Sequence, residues 1–216
     1  MSSQNQLIKS LAKQVAPVKP LMNHDLVALL WLSGSIIYCL AIIHLLGPIR
    51  ANAFNQLLSE PRFMLEMFTG LTAITLTTIA AFRHTIPGAL SPALKVSAAA
   101  MVWFWLALNL YGLIDPVIEP STLGARHYCV YETIIYALPP LFIGGQLARR
   151  RFTLNPGRTG FSLGLAAGMI PAWYMQIACM YAPEHMLKFH LLPAIAIASL
   201  SVLLLRANPI FNFFKR

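Results

Sequence analysis

The chain has 216 residues, of which 57% are hydrophobic and only 11% charged, with a mean hydropathy of +0.65. Soluble domains carry roughly a quarter charged residues, so this composition excludes an ordinary water-exposed surface and points to the bilayer as solvent. The net charge of +9 does not mark a nucleic-acid binder, because the basic residues flank apolar runs instead of clustering with aromatics on one polar segment.

In chain order, residues 1–25 read as a polar cytoplasmic tail. At 100° per residue, Leu7, Ile8, Leu11 and Val15 fall within an arc of about 100°, while Lys9, Ser10, Lys13 and Gln14 face the other way. Ser3 with Gln6 fits a capping box at the start of this helix, and Pro17 ends it. A helix of about 13 residues is marginal alone in water, so it needs a surface to lie on. Two surfaces fit: an anionic inner leaflet, where lysines meet lipid headgroups, and a groove on a cytoplasmic partner.

Six apolar runs follow, each about the 20 residues that a helix needs to cross the hydrocarbon core: 26–46, 63–82, 93–114, 128–147, 160–181 and 187–205. The first is too long for a signal-peptide core and no small-residue cleavage site follows it, so it should be retained as a span. Turns marked by Gly47-Pro48, Pro87-Gly88, Asp115-Pro116 and Pro156-Gly157 separate the runs. The expected fold is an all-α membrane protein: a bundle of six transmembrane helices over 26–206, a short amphipathic N-terminal helix, and a cytoplasmic tail at 207–216.

Orientation follows from Lys and Arg near the span ends. With the N-terminus inside, twelve of the 16 basic residues are cytoplasmic, including the Arg149-Arg150-Arg151 run. Arg50, Arg62, Arg126 and Lys188 are left outside. Both termini should therefore be cytoplasmic.

Within the spans, Gly160, Gly164 and Gly168 recur every four residues, a spacing that lets two helix backbones approach closely in lipid. Pro139-Pro140, Pro171 and Pro193 should kink the last three helices. Glu66 and Glu132 fall inside apolar runs, where a carboxylate is expensive. Arg62 stands four residues before Glu66 and can pair with it, whereas Glu132 has no partner close in sequence. It can be protonated, pair with another helix, or bind a metal beside Cys129.

A polar group gathers toward the outer face: His127, Cys129 and Glu132 open the fourth span, Cys179 closes the fifth, and Glu184, His185 and His190 follow. Cys129 and Cys179 each lie about two residues inside their helix end, so they sit at similar depth. This permits a disulfide or a soft-metal site drawing on Cys129, Cys179, His127, Glu132 and His190. Cys39 lies deeper and reads as a small packing residue. No other cofactor is expected.

These features resemble the NrsF family of six-helix membrane anti-sigma factors. The resemblance is carried by Leu7-Ile8, Leu11-Ala12 and Pro17-Val18; by Pro61-Arg62-Phe63-Met64-Leu65-Glu66 and Ile86-Pro87-Gly88; and by Cys129 with Glu132, the 164–168 stretch, and Cys179 through Pro183-Glu184 to His190. The family pattern has Pro directly after its second cysteine, whereas here Met180-Tyr181-Ala182 intervene. The resemblance implies a non-enzymatic regulator that holds an extracytoplasmic-function (ECF) sigma factor at the inner membrane, through the stripe of Leu7, Ile8, Leu11 and Val15. It also implies that Cys129 and Cys179 take part in sensing an envelope, metal or oxidative signal, as part of a stress response. Two other classes stay open on the residues alone. One is a membrane redox protein using the outer cysteine pair; the other is a small transporter or channel, for which intramembrane polar groups are few.

Overall fold

A computed structural model describes residues 3–14, 22–151, 153 and 155–206; Val15 and the 207–216 tail lie outside them. Among the described residues every regular element is helical. Helix α1 spans Ser3–Gln14, and α2 (His24–Leu46), α4 (Pro61–Arg83), α5 (Pro92–Tyr111), α6 (Cys129–Arg149) and α7 (Pro156–Ala178) are the long ones. A short α3 (Ala53–Ser59) lies in the loop after α2. The last run begins as α8 (Pro183–Met186), winds through a π-helical turn at Leu187–Leu191, and continues as α9 (Leu192–Arg206).

Local sequence explains the starts. Pro occupies the first turn of α4, α5, α7 and α8, where its missing N–H costs nothing and its φ already suits a helix. The Ser91 side chain accepts from the Leu94 N–H at 3.2 Å, and Asn155 accepts from the Arg158 N–H at 3.2 Å, each satisfying an orphan donor.

Four helices are long and apolar enough to cross a membrane: His24–Leu46, Pro61–Arg83, Pro92–Tyr111 and Pro183–Arg206. Their outward side chains, among them Leu30, Ile37, Phe68, Trp103 and Leu203, are exposed, the pattern of a bundle that offers its apolar face to lipid. Helices α6 and α7 are as long, with 21 and 23 residues, but carry more Pro and Gly. Helix α7 is the central one: it packs on α9, α4, α6 and α2, and nearly every residue from Leu163 to Ala178 is at least half-buried. A helix covered by its neighbours needs no apolar outer face.

Close approach sets the α7–α9 contact. A Cβ on Gly160 would stand 2.6 Å from the Ser201 carbonyl oxygen, and one on Gly168 would stand 2.9 Å from Ala194 Cα. One on Gly164 would run into the Ser201 hydroxyl. Only glycine lets these two backbones meet.

The prolines inside α6 are accommodated chemically. Pro140 has no N–H for the Tyr136 carbonyl, and the Cys39 thiol reaches that oxygen at 3.8 Å. Trp31 Nε1 donates to the Pro140 carbonyl at 2.9 Å. Cys39 thus ties α2 to the proline break of α6.

Polar contacts pin both ends of the bundle. At one end Arg83 grips Asp25 through two bonds of 2.9 and 2.7 Å, joining the start of α2 to the end of α4. At the other, loops roof the helix ends: the Arg50 N–H donates to the Ala178 carbonyl at 3.0 Å, and the Ser121 N–H to the Tyr181 carbonyl at 2.9 Å.

Candidate functional site

The roofed end holds the chemistry. Cys129 is the first residue of α6 and Cys179 caps α7; these antiparallel neighbours bring their sulfurs to 3.6 Å, with both thiols buried and free. Cys179 Sγ also lies 3.5 Å from His185 Nε2, and His190, wholly buried, stands beside them. One donor atom from each of Cys129, Cys179, His185 and His190 lies within 4.8 Å of every other.

Each side chain has a reason to be where it is. The Cys129 thiol donates to the Arg126 carbonyl one turn back, at 3.2 Å. Thr133, on the next turn of α6, meets His190 Nδ1 at 3.0 Å while its hydroxyl also donates to the Cys129 carbonyl at 2.9 Å. With Nδ1 engaged, His190 Nε2 has no hydrogen-bond partner among the described residues despite its burial. The π-turn accounts for the pairing of the two histidines. Residues five apart stand about 140° apart around a regular α-helix, but the wider i→i+5 winding turns His190 back toward His185. Their rings meet edge-on, with centroids 5.2 Å apart.

Arg126 braces the group from one side. Its guanidinium is almost fully buried; it pairs with Glu132 at 3.1 Å and donates to the Ile43 carbonyl at 2.8 Å. It lies over Gly47, where an added Cβ would meet the guanidinium, so the Gly47-Pro48 turn leaves it room. Tyr181, one of the three residues between Cys179 and Pro183, is buried under Arg50, whose guanidinium sits 5.5 Å from its ring centroid. Its hydroxyl accepts from the Val117 N–H at 3.1 Å.

Several expectations change on this geometry. Glu132 does have a nearby partner, Arg126, six residues earlier; a helical i, i+4 rule misses it because Arg126 precedes the helix. Glu132 and the exposed His127 are not among the four grouped donors. His185 stands in the group in their place; the sequence puts it in the outer polar cluster but not with the metal candidates, because its spacing from His190 fits no α-helical face. The Arg62–Glu66 contact is present but loose at 3.9 Å, since Arg62 makes its short bond, 2.8 Å, to Asp115. On α1, Leu7, Ile8 and Leu11 are exposed at 59%, 62% and 54%, far from core-like values.

The molecule is therefore an all-helical protein with at least four membrane-length apolar helices and a buried cysteine–histidine group under the loops at one bundle end. Comparison places it more narrowly: the family described as NrsF, Negative regulator of sigma F, matches residues 11–208, and the chain belongs to that family. It is a negative regulator of a sigma factor by that membership, a class of regulator and not of enzyme. No curated protein and no solved structure gives a significant match.

Proposed function

We propose that the chain is a membrane-embedded anti-sigma factor that holds an ECF sigma factor at the bacterial inner membrane and releases it on an outer signal. In this reading all six long helical runs cross the bilayer, with both termini cytoplasmic. Helix α7, and α6 beside it, tolerate their Gly, Pro and polar content because neighbouring helices cover and re-satisfy them. The twelve-to-four division of basic residues sets the orientation, placing the cysteine end outside and the Asp25–Arg83 end inside.

The observation that carries the reading is the family match over nearly the whole chain. Helix α1 supplies a means. Its apolar residues Leu7, Ile8 and Leu11 are exposed, and an amphipathic helix of this kind is what a hydrophobic groove takes up, through anchors at i, i+3, i+4 and i+7; Val15 would complete that stripe. The signal enters through Cys129 and Cys179 at the outer end, in a compartment where thiol oxidation and soft-metal capture both occur.

A transcriptional reporter under the cognate sigma factor tests the reading. Deleting the gene should raise the reporter, and restoring the wild type should silence it. Restoring a Leu7→Asp/Leu11→Asp variant should not silence it, because ionised groups would be forced into an apolar groove, although membrane insertion persists. If that variant represses fully, the sigma-binding surface lies off this stripe.

A further inference from the structure

We infer that Cys129, Cys179, His185 and His190 form a tetrahedral Cys2His2 site for one thiophilic divalent cation of the zinc and cadmium kind. The inference rests on the sensing end of the proposed function and names what that end binds.

Four donor atoms lie within 4.8 Å of one another, and two of their six separations already match the edges of a tetrahedral ligand set. Zinc–sulfur bonds of about 2.3 Å and zinc–nitrogen bonds of about 2.0–2.1 Å, at tetrahedral angles, give edges of about 3.8 Å between sulfurs and about 3.5 Å between sulfur and nitrogen. The observed Cys129–Cys179 separation is 3.6 Å and the Cys179–His185 separation 3.5 Å. These thiols sit at van der Waals contact without a bond, with two imidazoles completing the group.

Three independent features point to a ligand at its centre. His190 Nε2 is a buried polar atom with no partner among the described residues, an arrangement that ordinarily costs free energy and that a metal bond would resolve. Its other nitrogen is held by Thr133 at 3.0 Å, the outer contact that fixes ring orientation in histidine-ligated metal sites. The π-turn that brings His190 toward His185 departs from regular helix at this one place in the run, and π-turns concentrate at functional sites.

Charge also balances. On binding, the two thiols lose their protons to solvent and form two metal–sulfur bonds, while both histidines bind as neutral imidazoles. The two thiolates neutralise the cation, so a net charge is not buried. The neighbouring Arg126 is already paired with Glu132 and leaves the ligands free. His185 is only half-buried and gives the site its edge toward solvent, by which a cation enters. A Cys2His2 donor set of thiolate and imidazole selects zinc-group ions over the hard magnesium and calcium ions.

The test uses the full-length protein, solubilised in detergent and kept reduced, with Co2+ as spectroscopic probe. One Co2+ per chain should bind, giving thiolate-to-cobalt charge-transfer absorption and the intense visible bands of tetrahedral cobalt, and Zn2+ or Cd2+ should displace it. Cys129→Ser and Cys179→Ser should each remove most of the charge-transfer band. His185→Ala, at the rim where its loss spares the core, should weaken binding at least about tenfold, and Thr133→Val about 10–100-fold. A reduced, folded protein that takes up no Co2+ would overturn the inference. So would Co2+ binding that survives His185→Ala and His190→Ala unchanged, the behaviour of a site held by the two thiolates without the imidazoles. Because these measurements need no sigma factor, the two claims fail separately. Metal binding without repression would sink the regulatory reading alone, and repression without metal binding would sink the site alone.

Discussion

At the scale of single residues, Arg126 ties together the bundle end that holds Cys129 and Cys179. Its guanidinium spans three elements: Glu132 on α6, the Ile43 carbonyl at the end of α2, and the Gly47 turn. Removing one member of such a buried pair leaves the other charge uncompensated, at a cost of about 3–5 kcal/mol. Arg126→Ala should therefore lower the melting temperature of the solubilised protein markedly, and Glu132→Gln should restore part of the loss by removing the stranded charge. An unchanged melting temperature in Arg126→Ala would show the pair to be structurally idle. The cysteines call for a different readout. Cys129→Ser and Cys179→Ser should abolish release of the sigma factor by metal or oxidant while protein abundance stays normal. If abundance falls instead, the pair serves only as a staple.

The residue scale also shows where the sequence runs out. The matched depth of Cys129 and Cys179 is legible because each lies near the same end of one of two successive antiparallel helices, and helix length alone sets their height. The partners around them are not legible. Arg126 belongs to a loop, where no periodicity predicts direction, and His185 joins the cluster only through a π-turn that no local residue announces. Pro193, two residues past that turn, is the nearest signal: it leaves the Phe189 carbonyl without its i+4 donor and so favours a local change in winding.

Among the elements, α7 and α9 test the packing most sharply. Helix ends, prolines at first turns and the four-residue glycine spacing can all be read from the chain, whereas the choice of partner helix cannot, because small residues say how closely a neighbour comes and not which neighbour it is. The structure assigns that neighbour as α9. Gly164→Leu should force the backbones apart at the Ser201 contact, costing at least the roughly 1–3 kcal/mol of an overpacked core. The expected sign is a lowered melting temperature and faster proteolysis, with Ser201→Gly giving partial relief because it removes the clashing hydroxymethyl group. Full stability of Gly164→Leu would contradict the close α7–α9 seam. Helix α3, by contrast, was invisible in the sequence: seven residues buried on one side only carry too little periodicity to distinguish from a loop.

For the whole molecule, the proposed orientation rests on the alternation of helix direction and the asymmetry of basic residues. Reporter fusions after Arg151 and at the C-terminus should read cytoplasmic, and a fusion near Glu119, in the loop before α6, should read periplasmic. A periplasmic signal after Arg151 would reverse the molecule and move the cysteine–histidine group to the reducing side, where a disulfide would not persist. The proposed regulation would link the Cys129–Cys179 end of the bundle to helix α1. Helix α7 runs between the two bundle ends, from Pro156 to Ala178, with Cys179 as its cap. The claim on which the regulatory reading depends is that the chain keeps its sigma factor at the membrane. Fractionation of cells, with the sigma factor followed by immunoblot, measures this most directly. In wild-type cells the sigma factor should sediment with the membranes and co-purify with the solubilised protein; in cells carrying Leu7→Asp/Leu11→Asp it should move to the soluble fraction at unchanged abundance. A sigma factor that stays soluble in the presence of the intact wild-type protein would contradict the account.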